Sequence, residues 1–562
     1  MTRPATGPRG TRAARAAGAV LLAAVLLLLA QWPVGPARAA SGYTPISGAG
    51  STWSQNAITQ WQTNVKKSQM TVRYTGLGSS DGRNQFRNGT VDFAVSEIPY
   101  GVKDTGVVDT PPKRAYAYMP IVAGGTSFMY NLVIGNQRVT NLRLSGENLA
   151  KIFTGTLTRW NDPAIKRDNP ALAARLPARK IVPVVRSDGS GTTAQFSGWL
   201  ADQNQGLWDA YCRQAGRPTP CGQTSNYPTI AGKGFVAQSG SNGVSGYVAT
   251  KGNIGTITYV EYSYATESTH FPVVKVLNKA GYYVEPTASN VAVALLKARI
   301  EDDESSPAYL TQKLQGVYND RDPRTYPLSS YSYMILPTKT ESNFSENKGR
   351  TLGAFGKYFL CDGQRFVDDL GYSPLPKNLV EAGFEQLKRI PGAEVGTINI
   401  NSCRNPTFSS DGTNTLAKNA PFPPACDKQG PKQCTTGTGG ATTPTNPGGG
   451  SAGGGSASGG SAAGGASGGT AGTAGGTAAA GGTGDAAGGT AIDPDTGQVV
   501  NAGTGGSQGG DAYAVPVTTG ASISSGLRNT LMVLAGVLLL AVTFGPPLLA
   551  GRLDRRNQGR QR

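Results

Sequence analysis

The 562-residue chain has a single histidine, His270, and no Cys-x-x-Cys among its six cysteines. Zinc and related sites draw on imidazole and paired thiolates, so a metal centre lacks its usual ligands here and no cofactor is expected. No Gly-x-x-x-x-Gly-Lys-Ser/Thr loop occurs, which excludes a P-loop ATPase. Dense basic runs and aromatic-basic interleaving are also missing, so nucleic acid is not an expected partner. The net charge of +17 belongs partly to the ends. Residues 1–40 carry five arginines and no acid, residues 527–562 six arginines and one aspartate, and 435–526 four aspartates with no Lys or Arg, which leaves +11 for residues 41–434. A moderately basic domain of this kind suits small anions or an anionic polymer.

Long apolar runs occur only at the two ends. Arg3, Arg9, Arg12 and Arg15, the run 19–30 and Ala37-Arg38-Ala39 have the parts of an export signal, with the mature chain starting near Ala40. The run 531–550 is uncharged and long enough to cross a bilayer, and Arg552, Arg555, Arg556, Arg560 and Arg562 behind it place the tail in the cytoplasm and the rest outside. A sortase-type attachment is the weaker option, because Val515-Pro516-Val517-Thr518-Thr519-Gly520 has one residue too many. In an exported chain the six cysteines should pair. Cys212 with Cys221 and Cys426 with Cys434 flank short loops and leave Cys361 with Cys403, one of 15 possible connectivities.

What the chain does have is glycine loops between strands and helices. Val184-Val185 reads as a strand end, Ser187-Asp188-Gly189-Ser190-Gly191 as a loop, and Phe196, Trp199 and Leu200 as the face of a following helix. The first N–H groups of a helix are unpaired and positive, so such a junction attracts anions. Arg186 adds a fork of donors. Asp188 would repel an anion unless the anion carries a proton, which points to phosphate and makes Asp188 the candidate proton acceptor. The alternative is that Asp188 and Ser190 merely cap a helix. Ser47–Trp53, leading into a helix with Ala57, Ile58, Trp61 and Val65 on one face, is a second such loop, and Gly76–Gly82 after a strand at 70–74 a third. The strand 91–95 ends in Ser96-Glu97, a carboxylate where open α/β sheets bind ligands.

Gly48-Ala49-Gly50-Ser51-Thr52-Trp53, Gly78-Ser79-Ser80, Val91–Glu97 and Arg186–Thr192 resemble, in order and spacing, the ligand loops of the phosphate-binding (PstS) proteins of bacterial phosphate ABC transporters. The likeness covers roughly residues 44–390. It implies an α/β, two-lobed, type II periplasmic-binding-protein-like fold with a hinge, whose lobes close over inorganic phosphate. It also implies ligand contacts from Thr52, Trp53, Ser79, Glu97, Arg186, Asp188, Ser190, Gly191 and Thr192. Glu97 stands where that family usually has Asp, Trp53 where it has Phe, and Asp81 adds a charge beside Ser79. Glu97 is then either a second acceptor or, being longer, turned aside.

The expected organisation is a signal peptide (1–40), a first lobe (41–122 and 252–390), a second lobe (123–251) entered near Ala123-Gly124-Gly125, and a Cys-stapled extension (391–434). A Gly/Ala/Ser/Thr linker (435–526), a membrane helix (527–551) and a basic tail (552–562) follow. The expected function is capture of phosphate outside the cell for the permease and ATPase of an ABC importer, without catalysis. The alternatives are a surface phosphatase or a cell-wall or adhesion protein on the same fold.

Overall fold

A computed structural model describes residues 42–443, except 102, 105–106, 307 and 397–398, together with 491–492 and 499–500. The expected export signal, the membrane helix with its basic tail, and most of the linker lie outside the described residues. Among the described residues no helix is long and apolar enough to cross a membrane. The chain divides into residues 1–454 and 455–562. In the second of these units, Ala491–Ile492 pairs antiparallel with Val499–Val500.

The first unit is built on eight strands: β1 (Ile46–Gly50), β2 (Val72–Gly76), β3 (Phe93–Ser96), β4 (Tyr116–Tyr130), β5 (Val182–Arg186), β6 (Val236–Gln238), β7 (Thr256–Glu261) and β8 (Ser329–Pro337). They lie in the order β6-β5-β7-β4-β8-β3-β1-β2. The fifteen-residue β4 makes this one sheet. It pairs with β8 from Tyr116 to Gly125 and with β7 from Thr126 to Tyr130, so its partner changes between Gly125 and Thr126. This gives two α/β halves, or lobes, joined at the middle of one strand.

Strand directions fix where a ligand can sit. β1, β2 and β3 are mutually parallel, β3 is antiparallel to β8 and β8 to β4, so the first three run with β4 and end toward the second half. β5, β6 and β7 are parallel to one another and run against β4, so they end toward the first half. The C-terminal strand ends of both lobes therefore meet near Gly125 and Thr126. β7 pairs with β5 and with the far part of β4, which puts 256–261 in the second lobe. The return to the first lobe falls after this strand, later than the 252 that the sequence suggested.

Four strand ends lead into helices at the cleft: α1 (Gln55–Val65) after β1, α2 (Ser79–Arg87) after β2, α3 (Gly191–Gln203) after β5 and α4 (Gly240–Ala249) after β6. α1 buries Ala57, Ile58, Trp61 and Val65, the face expected from their spacing. Behind the first lobe lie α6 (Glu346–Leu360) and α7 (Lys377–Lys388), after α5 (Ala288–Leu295) has crossed β4 and β8. Phe359 stacks on Trp61 at 4.9 Å, which pins α6 to α1.

The disulfides are Cys212–Cys221, Cys361–Cys403 and Cys426–Cys434. The extension after residue 390 runs along both lobes. Cys403 ties it to the end of α6, and Asn405 and Thr407 donate to the Leu375 carbonyl at 2.9 and 2.8 Å. The short helix Thr415–Lys418 then packs on α5. Further on, Arg143 of the second lobe donates to the Cys426 and Gly430 carbonyls, and Lys275 pairs with Asp427 at 2.7 Å. Residues 435–443, which composition places in the linker, are docked rather than free. Thr438 Oγ1 accepts the Val273 N–H at 3.1 Å, the Gly439 N–H donates to Glu285 at 2.6 Å, and Gly440 to the Phe271 carbonyl at 3.1 Å. Low hydrophobicity misled here, because backbone hydrogen bonds hold this segment where apolar anchors do not.

Truncation after Thr443 should leave stability unchanged, whereas truncation after Cys434 should cost ~1–3 kcal/mol by stripping partners from the buried Val273 N–H and Glu285 carboxyl. Urea unfolding of the two truncations tests this. Equal midpoints would show that residues 435–443 contribute nothing.

Candidate anion-binding site

The site starts from the two strand-to-helix junctions that face each other. Gly78, the residue before α2, has φ 99°, a backbone state open to glycine, and an added Cβ there would stand 2.5 Å from Asp188 Oδ2. Opposite it, Ser190 caps α3, its hydroxyl accepting the Thr193 N–H at 3.1 Å. The junctions bond to each other directly. The Ser80 N–H donates to the Gly189 carbonyl at 2.9 Å, and the Gly191 N–H to Ser79 Oγ at 3.1 Å. Gly191 opens α3 so close to Glu97 that a Cβ would lie 1.8 Å from Oε2.

Arg186, at the end of β5, is almost fully buried, and its guanidinium is spent in three directions. Nε donates to Asp188 Oδ1 at 2.7 Å and Nη2 to Asp188 Oδ2, while Nη1 faces Ser241 Oγ at 3.3 Å and Thr192 Oγ1 at 3.5 Å. Asp188 Oδ1 also accepts the Gly240 N–H at the start of α4, at 2.9 Å. Burial pushes the Asp188 carboxyl up, but the Arg186 hydrogen bonds and charge, with the Gly240 N–H, outweigh it and hold the group below its ordinary range. Expected to accept the ligand's proton, Asp188 has both oxygens committed to its own arginine. Its evident role is to orient and neutralise Arg186.

Glu97 is the other acid. It is buried just past β3, with Oε2 accepting from Ser79 Oγ at 2.8 Å and Oε1 from Ser332 Oγ at 2.9 Å. Burial raises its carboxyl, and hydroxyl donors from Ser51, Ser79 and Ser332 only partly oppose this. The longer side chain is therefore not turned aside. It is held inside the cleft, and of the two acids it is the one whose proton can exchange.

The remaining predicted residues sit along the same seam. Thr52 Oγ1 bonds Ser241 Oγ at 2.8 Å and accepts the Ser241 N–H at 3.1 Å. The Trp53 N–H donates to Ser51 Oγ at 3.0 Å, and its ring packs edge-on to Tyr372. Asp81 lies along α2 and accepts from Gln85 at 2.6 Å, away from Ser79. The structure thus brings Thr52, Ser79, Glu97, Arg186, Asp188, Gly191 and Thr192 into one hydrogen-bonded seam, with Trp53 beside it and Ser190 as the helix cap.

Sequence reasoning missed several members. Ser241 links Thr52 to Arg186. Tyr259 OH accepts the Arg186 N–H at 3.3 Å and bonds Thr193 Oγ1 at 2.8 Å, and Gln195 donates to the Glu97 carbonyl at 2.8 Å. Ser332 was visible in principle, as a hydroxyl inside β8, where all nine residues are buried. Gly78-Ser79-Ser80-Asp81-Gly82 also has the Gly-x-Ser-x-Gly spacing of a nucleophile elbow. Ser80 Oγ bonds Ser225 Oγ at 3.1 Å, and His270 packs against Gly440 of the extension, so no histidine base adjoins it. Among the described residues no His, Cys, Asp and Glu group is placed to hold a metal.

A family model described as the PBP superfamily domain matches residues 35–363. The phosphate-binding protein PstS of Xylella fastidiosa is 31% identical over 338 residues, covering 60% of this chain and 83% of that protein. PstS of Methanocaldococcus jannaschii is 29% identical over 354 residues, covering 61% and 85%. Among solved structures, the ancestral soluble variant of the Human Phosphate Binding Protein is 19% identical, with a TM-score of 0.47, covering 64% of this chain and 98% of that one.

The two acids should pull stability in opposite directions with pH. Glu97, raised in the fold, adds stability that is complete below its ordinary 4.5 and fades as pH rises through the raised value. Asp188, lowered, adds stability that is complete above its ordinary 3.8 and fades as pH falls through the lowered value. Glu97→Gln should flatten the first slope and Asp188→Asn the second in urea unfolding across pH. A Glu97→Gln profile parallel to that of the unaltered protein would contradict the assignment.

Proposed function

This chain belongs to the PBP superfamily and, within it, to the phosphate-binding PstS proteins, and we propose on that ground that it captures inorganic phosphate outside the membrane as the substrate-binding protein of an ABC-type importer. The observation that carries the reading is the seam itself. A buried arginine held by its own aspartate lies beside a second buried acid held by hydroxyls and no cation, and helix starts from both lobes converge on them.

Such a seam is suited to a protonated oxyanion. The Arg186 Nη1 group, facing Ser241 and Thr192, and the N–H groups of α2 and α3 supply donors for phosphate oxygens, with Thr52, Trp53, Ser79, Ser190, Gly191 and Thr192 as the further contacts. Glu97 accepts the ligand's proton, which phosphate keeps near neutral pH and sulfate lacks. A buried acceptor left facing a bare oxyanion costs enough to discriminate by ~10⁴ or more. Closure joins the lobes through Thr52–Ser241, Ser80–Gly189, Ser79–Gly191 and Gln195–Glu97. The reading includes no catalytic step, in keeping with Ser80 having no adjoining histidine.

The finer arrangement we propose is a binding domain ending at Thr443, a tether from there to about residue 526, and a membrane segment over 527–551. The permease and ATPase of the importer are its partners.

Arg186→Ala should weaken phosphate binding by ~2–5 kcal/mol, because it also leaves Asp188 buried without its cation. Titration calorimetry with phosphate and sulfate on the unaltered and substituted protein measures this. Undiminished affinity in a folded Arg186→Ala protein would remove Arg186 from the site, and equal affinity of the unaltered protein for both anions would remove the acceptor argument.

A further inference from the structure

Ser332 stands at an irregularity in the β4–β8 ladder. Ser332 pairs with Val122 but Tyr333 pairs with Pro120, so Ile121 has no opposite residue. Proline has no N–H to give the ladder, and a bulge at this point re-aims the neighbouring side chains. The Ser332 hydroxyl, fully buried, lies 2.9 Å from Glu97 Oε1 and 3.1 Å from Ser54 Oγ. A hydroxyl has one hydrogen. It goes to the ionised carboxylate, the stronger acceptor, and can turn to Ser54 Oγ when Glu97 is protonated. Ser54 occupies the N-cap position of α1 yet makes no side-chain capping bond, so a contact ordinarily worth ~1 kcal/mol is forgone in favour of this relay.

We propose that Ser332, backed by Ser54, is a specificity-determining positioning residue of this site. It pins Glu97 Oε1, so that the glutamate's extra methylene is absorbed and Oε2 faces Ser79 and the start of α3. The Ser54–Ser332 pair serves both forms of Glu97. Ser332 donates to the ionised carboxylate, and with its hydrogen turned to Ser54 it accepts from the protonated one. Ser79, the hydroxyl on Oε2, is already engaged by the Gly191 N–H. The titratable neighbours of Glu97 are Tyr74 from β2 and Tyr333 from β8, which feel its charge. The nearby charged side chains are already paired, Arg83 with Asp109 and Arg186 with Asp188. Burial and the hydroxyls that oppose it therefore set the state of this acid. The inference rests on the phosphate-binding reading with Glu97 as proton acceptor.

The test is Ser332→Ala in the full chain, with phosphate and sulfate affinities measured by calorimetry from pH 5 to 9. Losing a donor disfavours the ionised carboxylate. The acid limb of phosphate binding, below which Glu97 is protonated and accepts nothing, should then move up by about one pH unit. At neutral pH a protonated Glu97 can donate to sulfate, so the phosphate-to-sulfate ratio should fall about tenfold. Ser332→Thr, which keeps the hydroxyl, should restore both, and Ser54→Ala, which takes away the acceptor that the Ser332 hydrogen uses with protonated Glu97, should move the acid limb down. If Ser332→Ala does not fold, Ser54→Ala carries the test through that downward shift. A folded variant with limb and ratio unchanged overturns this inference alone, whereas an unaltered protein that binds no phosphate overturns the function and this inference with it.

Discussion

A carboxylate taken out of water must be paired, hydrogen-bonded or protonated. Two of them meet at the centre of this molecule, and much of the surrounding structure follows from how each is satisfied. Asp188 takes the ionic solution, a bidentate contact with Arg186 completed by the Gly240 N–H. Glu97 takes the neutral one, a ring of hydroxyls with no cation of its own. The glycines at 78 and 191 are needed because these carboxylates leave no room for a Cβ, and the slip in the β4–β8 ladder brings Ser332 to Glu97. Glycine, bulge and uncapped helix start are local costs that a chain selected only for stability would shed.

The same centre lies where the lobes can move. β4 is continuous across both halves, so the sheet bends at one strand rather than parting. The contacts between the lobes at the site are neutral hydrogen bonds of ~0.5–1.5 kcal/mol each, weak enough singly for reversible opening. The extension adds another covalent path between the halves, fixed near Cys361 in the first and through Asp427, Cys434 and Thr438 in the second. This strap packs on α5, and residues 438–443 lie against the second lobe, where Thr140 donates to the Thr443 carbonyl at 2.7 Å.

Local order was legible in the sequence because it depends on spacing. The apolar face of α1, the loop before α3 and the carboxylate past β3 could all be read from residue type and period. So could the disulfide pairs, two of them from loop length and the third by remainder. The roles of the acids were not legible, because they depend on which donor reaches which oxygen across the cleft. Asp188 looked like the acceptor from its neighbours in sequence, yet Arg186, two residues away, engages both its oxygens. Ser332 reaches Glu97 from 235 residues away through a bulge that no periodicity shows. Residues 435–443 were misread for a related reason, since backbone bonds to Val273, Glu285 and Phe271 leave no mark on composition.

Counting charge at the centre shows what must attract the ligand. Arg186 and Asp188 cancel, and Glu97 contributes zero or one negative charge, so the seam carries no net positive charge to offer an anion. Beyond the Arg186 donors that Asp188 leaves, the attraction comes from oriented dipoles: the N–H groups that open α2 and α3, and hydroxyls that can turn their hydrogens inward. Dipoles buried between closed lobes are screened far less by salt than surface charge is. They also act only at short range, so a ligand is held by fit and proton count rather than by charge alone. The +11 on residues 41–434 can draw anions toward the domain from a distance. On the proposed reading, discrimination begins where that field gives way to Glu97 and its hydroxyl partners.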